Sequence, residues 1–144
     1  MANATFEYMI FIRATTEQVW LGLLLPRYTR AYWAHENVSD WKPGSPWTHR
    51  RTDADRTVDI QGTVLESQPA KRLVLTWIPP ADPTDVSRVT LQLAPESWPN
   101  GPWTCLRIVH SDLVADSEMH RSVSHGWPAL ASGLKTLLET GAVF

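Results

Sequence analysis

The chain has 144 residues with 13 Lys+Arg against 15 Asp+Glu, a formal net charge of −2 that excludes a basic nucleic-acid stripe and an acidic interaction tail. One cysteine, Cys105, excludes an internal disulfide. An N-terminus without a charged start and apolar run, and a longest apolar stretch of only Val19 to Leu25, lead us to expect a cytoplasmic protein with no membrane insertion.

In chain order, Phe6 to Arg13 alternates, with Tyr8, Ile10, Ile12 and Ala14 on one face, and predicts a first strand. Thr15 and Gln18 form a capping-box pair ahead of a short helix carrying Val19, Trp20, Leu23 and Leu24. Pro26 stops that helix and opens a second, which gathers Tyr28, Tyr32 and Trp33. Strands are then predicted over Asn37 to Trp41, Ser45 to Thr52, Val58 to Ser67, Arg72 to Ile78, Val86 to Ala94 and Trp103 to Leu113. Turns fall at Lys42-Pro43-Gly44 and Asp53-Ala54-Asp55, a loop at Pro79 to Pro83, and a hairpin connection at Trp98 to Pro102. Asp116 or Ser117 caps a last helix, whose large apolar residues recur at 119, 123, 127, 130, 134, 137 and 138 until Gly141 ends it. Pro128 removes a backbone donor inside that helix, so a kink or restart near Ser124 is expected.

One strand, two short helices, six more strands and one long helix make an α+β arrangement, expected to be one domain over residues 1–144. Eight tryptophans are the unusual feature of the composition, and Trp suits core, interface and ligand pocket alike.

Several segments resemble a known family. Gln61-Gly62-Thr63-Val64-Leu65-Glu66, Pro69 and Arg72 to Trp77 resemble its central hairpin. Ser87 to Thr90 and Trp103 to His110 resemble its last strands, and Gly126-Trp127 with Leu130, Leu134 and Leu138 its closing helix. Ala14, Val19-Trp20 and Tyr32-Trp33 fit the same register. Together they are similar to the Hsp90-ATPase-activator-homologue-like branch of the START-like (SRPBCC) superfamily. The resemblance implies a helix-grip fold, in which a seven-stranded antiparallel sheet wraps the C-terminal helix. It also implies a deep, mainly apolar cavity between them that takes hydrophobic molecules. It brings no catalytic motif, no metal and no cofactor.

Strand parity supplies a candidate lining. Thr104, Leu106, Ile108 and His110 share one face of the last strand, Val89, Leu91 and Leu93 one face of the strand before, and Leu73, Leu75 and Trp77 one face of the fifth. On the third strand Trp47, His49 and Arg51 share a face. If that face points inward, His49, Arg51 and His110 form a polar end to an apolar pocket, where Arg51 needs an anion: either a ligand group or Asp53, Asp55 or Glu66. The candidate ligand-binding residues are therefore Trp33, Trp47, His49, Arg51, Trp77, Leu91, Ile108, His110, Met119, Val123 and Trp127. Trp127 doubles as a core residue, and Trp33, Trp41 and Trp47 rim an entrance or simply cover an edge.

Other chemistries fail on spacing. The sequence has no Gly-rich phosphate loop, no G-x-S-x-G and no H-E-x-x-H. His120 and His125 are five apart, wrong for two metal ligands on one helix face. His110, Ser111 and Asp112 are neighbours on a strand and point to alternating faces, so they cannot converge as a triad. Three functions stay in competition: a binder of a small hydrophobic or aromatic molecule, an aromatase/cyclase-type enzyme, and an interaction module working as a homodimer or with an Hsp90-type chaperone.

Overall fold

The computed structural model describes residues 3–97 and 100–143. The elements are β1 (Asn3–Ile12), α1 (Thr16–Leu24), α2 (Pro26–Trp33), β2 (His35–Val38), β3 (Pro46–Arg51), β4 (Val58–Gln68), β5 (Arg72–Trp77), β6 (Ser87–Glu96), β7 (Trp103–Val114) and α3 (Glu118–Thr140). The seven strands form one sheet in the order β1-β7-β6-β5-β4-β3-β2, antiparallel at every pairing. With α3 lying on the concave face, this is the α+β helix-grip arrangement the sequence led us to expect. Two residues of the expected hairpin connection, Trp98 and Pro99, lie outside the described residues.

Local chemistry sets the entry to the fold. Thr15 accepts a bond from the Gln18 backbone N–H at 3.1 Å while the Gln18 side chain accepts from the Thr15 N–H at 2.8 Å, satisfying donors that the first turn of α1 leaves free. Leu25 closes α1 and opens α2, with Pro26 in the first turn, where a missing N–H costs nothing. Tyr32 then donates its hydroxyl to the Gly22 carbonyl at 2.8 Å and ties the two short helices together.

β2 begins at His35 and ends at Val38, earlier than the Asn37 to Trp41 strand expected from the sequence. Ser39 and Asp40 accept bonds from the Trp41 and Lys42 backbone N–H groups, and Trp41 takes a left-handed φ of 60°. These short-range side-chain bonds take donors away from the ladder and end the strand.

β4 serves two partners. Its first half pairs with β3, placing His49 opposite Ile60, and its second half pairs with β5, placing Val64 opposite Leu75. Gly62 sits at the changeover, where a Cβ would lie 2.1 Å from the Thr76 carbonyl oxygen, so no side chain fits. The same carbonyl accepts the Trp47 indole N–H at 2.9 Å, which fixes Trp47 under the bend.

Ser117, rather than Asp116, caps α3 by accepting from the His120 N–H, and Gly141 ends it at a φ of 77°. The restart expected near Ser124 does not occur: the helix is continuous from Glu118 to Thr140 with Pro128 inside it. Pro128 withholds one donor from the Ser124 carbonyl, but Ser124 and Pro128 are only half-buried, so water can serve that group. Apolar periodicity across the whole helix outweighs one lost bond. Val123, Trp127, Leu130, Ala131 and Leu134 are buried, with α3 packed on β1, β7 and the two short helices and Trp127 reaching Trp77 of β5.

Candidate functional site

Two histidines stand on the inner face of the sheet, and their surroundings differ. His110, on β7, is fully buried. Its Nδ1 accepts the indole N–H of Trp127 at 3.0 Å, so the ring proton must sit on Nε2, which lies 2.7 Å from the Ser87 hydroxyl. Ser87 in turn donates to the Trp77 carbonyl at 3.3 Å. Every polar atom of His110 is used, and burial lowers its pKa to about 3, so the ring stays neutral. A histidine that activates a serine needs its bare nitrogen facing the hydroxyl. Here that nitrogen carries the proton and donates it, which makes the pair a structural link from α3 to the sheet.

His49, on β3, is only 4% exposed, and the Trp47 face of β3 does point inward. The Leu23 carbonyl can only accept, so Asn37 turns its amide N–H₂ toward it at 3.0 Å. That leaves the Asn37 oxygen facing His49 Nδ1 at 2.7 Å, so Nδ1 carries the proton and Nε2 holds a bare lone pair. Among the described residues Nε2 has no hydrogen-bond partner. Among the described residues the occluded side-chain polar atoms without partners are Thr29 Oγ1, Trp77 Nε1 and Trp103 Nε1, so His49 Nε2 is not sealed in protein. It opens on a cavity of which His49 forms part of the wall. Burial, with the neighbouring His35 ring adding to it, lowers the His49 pKa to about 3.

The cavity holds about 650 Å³ between the β2–β3 end of the sheet and the first half of α3. Trp33, Trp77 and Trp127 make its aromatic wall, with ring centroids 5.9 Å apart for Trp33–Trp127 and 5.4 Å for Trp77–Trp127. Met119, Val123 and Leu130 extend the apolar side along α3, and Ile60 and Pro79 close it from the sheet. Its mouth is polar. Arg51 grips Asp59 with two bonds of 2.9 Å, and His35 reaches the same carboxylate at 2.8 Å. The Arg51 guanidinium, helped by His35, holds the Asp59 carboxyl down to about 2. His35 also contacts the Trp33 carbonyl at 2.8 Å through Nδ1, and its ring lies parallel to His49 with centroids 4.0 Å apart. Glu118 and Ser122 complete the rim from α3.

Of the residues expected from the sequence, the structure brings Trp33, His49, Arg51, Trp77, Met119, Val123 and Trp127 to this cavity. Trp47 and Leu91 instead border a residual space of about 20 Å³ deeper in the interior, room for roughly one water. Ile108 and His110 line neither space. The deep apolar cavity implied by the resemblance is thus largely filled by indole rings, and the open volume lies toward one end. Arg51 corrects a second expectation. Its partner is Asp59, whereas Glu66 pairs with Arg72 at 2.7 Å.

Asp59 escaped sequence reasoning for a geometric reason. His49 pairs with Ile60 and Arg50 with Val58, so Asp59 is the extra residue of a β-bulge. A bulge breaks strand parity and re-aims the side chain it carries, which puts Asp59 beside Arg51. His35 was missed because the second strand was expected to begin at Asn37; its place opposite Arg51 in the ladder would have flagged it.

The family model described as "Activator of Hsp90 ATPase homolog 1-like protein" matches residues 13–139. The chain belongs to that family. Among solved structures it is similar to protein MLL2253 from Mesorhizobium loti, at 26% identity with a TM-score of 0.76, covering 94% of this chain and 97% of that one. It is also similar to the Aha1 dimer from Colwellia psychrerythraea, at 18% identity and a TM-score of 0.76, covering 96% and 98%. CalU16 from Micromonospora echinospora matches at 20% identity and a TM-score of 0.73, covering 94% and 74%. No curated protein sequence matches significantly. Among the described residues no helix is long and apolar enough to cross a membrane.

Proposed function

We propose that this family member binds a small hydrophobic or aromatic molecule in the cavity beside α3. The supporting observation is the wall itself: three indoles and five further apolar side chains around about 650 Å³, a volume within the range of small-molecule sites, with polar groups at the mouth and at His49. Burial of a flat apolar ligand there supplies affinity, and the polar groups supply orientation. Isothermal titration of the full chain with naphthalene-sized aromatic probes tests it. Saturable one-to-one binding that Trp127→Ala weakens is the expected result, and absence of saturable binding overturns the reading.

An aromatase/cyclase-type reaction would need two polar groups aimed at one substrate. Arg51 is held by Asp59, His110 is sealed behind Trp127 and Ser87, and only His49 keeps a free nitrogen. A ring that protonates only near pH 3 is a weak base at neutral pH, since efficient proton transfer wants a pKa near the working pH. The binding reading therefore takes precedence over the enzymatic one. Neither a homodimer nor a chaperone complex draws support from the cavity.

A further inference from the structure

Resting on the reading of this cavity as a ligand site, we infer that its ligand is a neutral aromatic alcohol or phenol whose hydroxyl donates to His49 Nε2. Among the described residues the bare lone pair is an accessible acceptor in the aromatic wall that the protein leaves without a partner, whereas the unpartnered Trp77 Nε1–H is a donor and is occluded. Its direction is set by a relay of fixed roles: the Leu23 carbonyl orients Asn37, Asn37 takes the Nδ1 proton, and Nε2 remains an acceptor. An acceptor selects a donor. A ligand lacking an O–H at that end would strip water from Nε2 and return nothing, which is how a site rejects an analogue without the matching group.

The charges around the cavity argue against a carboxylate. The groups that face it are His35 on β2, Arg51 on β3, Asp59 on β4 and Glu118 on α3. Arg51 directs Nε and one terminal nitrogen at Asp59, and His35 turns Nε2 to the same carboxylate. Arg51 and the His35 ring are thus already engaged by an anion of the chain, and Glu118 adds a second acidic group at the rim. No unmatched positive charge is left to draw in an acidic ligand. His49 cannot supply one, because its burial and the adjacent His35 ring oppose a second proton. The aromatic part of the ligand follows from the surroundings of His49: the Trp33 ring centroid lies 4.6 Å from its own and that of Trp77 6.0 Å away, and both rings line the cavity, so a ligand at His49 meets aromatic surface.

Three probes of one shape separate the possibilities. The full chain is titrated calorimetrically at pH 7 with 2-naphthol, 2-methoxynaphthalene and 2-naphthoate. The expected order is naphthol tightest, the methyl ether about tenfold weaker, and the carboxylate weakest. In His49→Phe, naphthol should fall to the affinity of the ether while the ether is unchanged. Equal affinity of naphthol and ether for the wild-type chain, or tightest binding of naphthoate, overturns the inference and leaves the cavity a ligand site. A naphthol preference that survives in folded His49→Phe also overturns it. Failure of all three probes to bind removes the ligand-site reading itself. If His49→Phe does not fold, the three wild-type affinities decide alone.

Discussion

His110 and His49 are both buried, both near Trp77, and both held neutral down to about pH 3, yet they sit in opposite relations to the rest of the molecule. His110 accepts from α3 and donates to β6, so its two nitrogens are spent on joining helix to sheet. His49 spends one nitrogen on Asn37 and turns the other toward open volume. The same residue type, equally hidden from bulk water, serves as a clamp in one place and as a recognition group in the other. The difference is whether an opposing donor from the chain reaches the second nitrogen. Trp127 reaches His110; nothing among the described residues reaches His49 Nε2.

The sharpest way to break the comparison is to remove the residue that both regions share. Trp127→Ala deletes the donor to His110 and one wall of the cavity, and should cost about 3–5 kcal/mol in urea unfolding. A loss below about 1 kcal/mol would mean that α3 does not depend on that clamp.

Lowering the pH acts on both histidines at once. Each has a folded-state pKa near 3 against an ordinary 6.5, so between those values the unfolded chain binds more protons. Their contribution is therefore complete above about pH 7 and shrinks as pH falls, by about 2 kcal/mol for each ring at pH 5. Asp59 does not share that window, because its depressed pKa keeps it charged until well below pH 4. Urea midpoints at pH 7 and pH 5 measure the effect, and His110→Gln should remove about half of it.

Replacing the histidines one at a time separates their roles more finely. His110→Leu strands the Trp127 N–H in the core and takes the donor away from the Ser87 oxygen, whose own O–H keeps the Trp77 carbonyl, and should cost about 2–4 kcal/mol. His49→Phe strands only the Asn37 oxygen and should cost about half as much, while changing ligand selectivity. Equal costs with no change in selectivity would erase the distinction between clamp and recognition group. The smallest expected effect is a gain. A Cβ on Gly126 meets nothing within 4 Å on the exposed side of α3, so Gly126→Ala should stabilise the chain by about 0.5–1 kcal/mol, read as a higher Tm with His110 unaffected.

Much of this architecture was legible residue by residue. The Thr15–Gln18 box, the Pro26 boundary, strand parity on β5, β6 and β7, and the four-three spacing of α3 all depend on neighbours within a few positions, which a linear reading contains. The inward face of β3 was read as a conditional and came out inward for Trp47 and His49. Arg51, at the strand end, shares that side but reaches the mouth, with its side chain 52% exposed. Strand ends were less legible where Ser39 and Asp40 competed for backbone donors. The filling of the deep interior was not legible at all, because it depends on how Trp47, Trp77 and Trp127 share one volume from three separate elements.

The sequence by itself determined the family, the order of elements and the set of side chains that turn inward, since capping, periodicity and parity are local properties of the chain. Tertiary structure alone decided what those inward residues do. A bulge aimed Asp59 at Arg51 and removed the free cation, Trp127 closed off His110, and the Leu23–Asn37 relay left His49 Nε2 open. Each of these outcomes is a hydrogen bond between residues 8 to 17 positions apart along the chain, made on elements that converge only when the sheet curls around its helix.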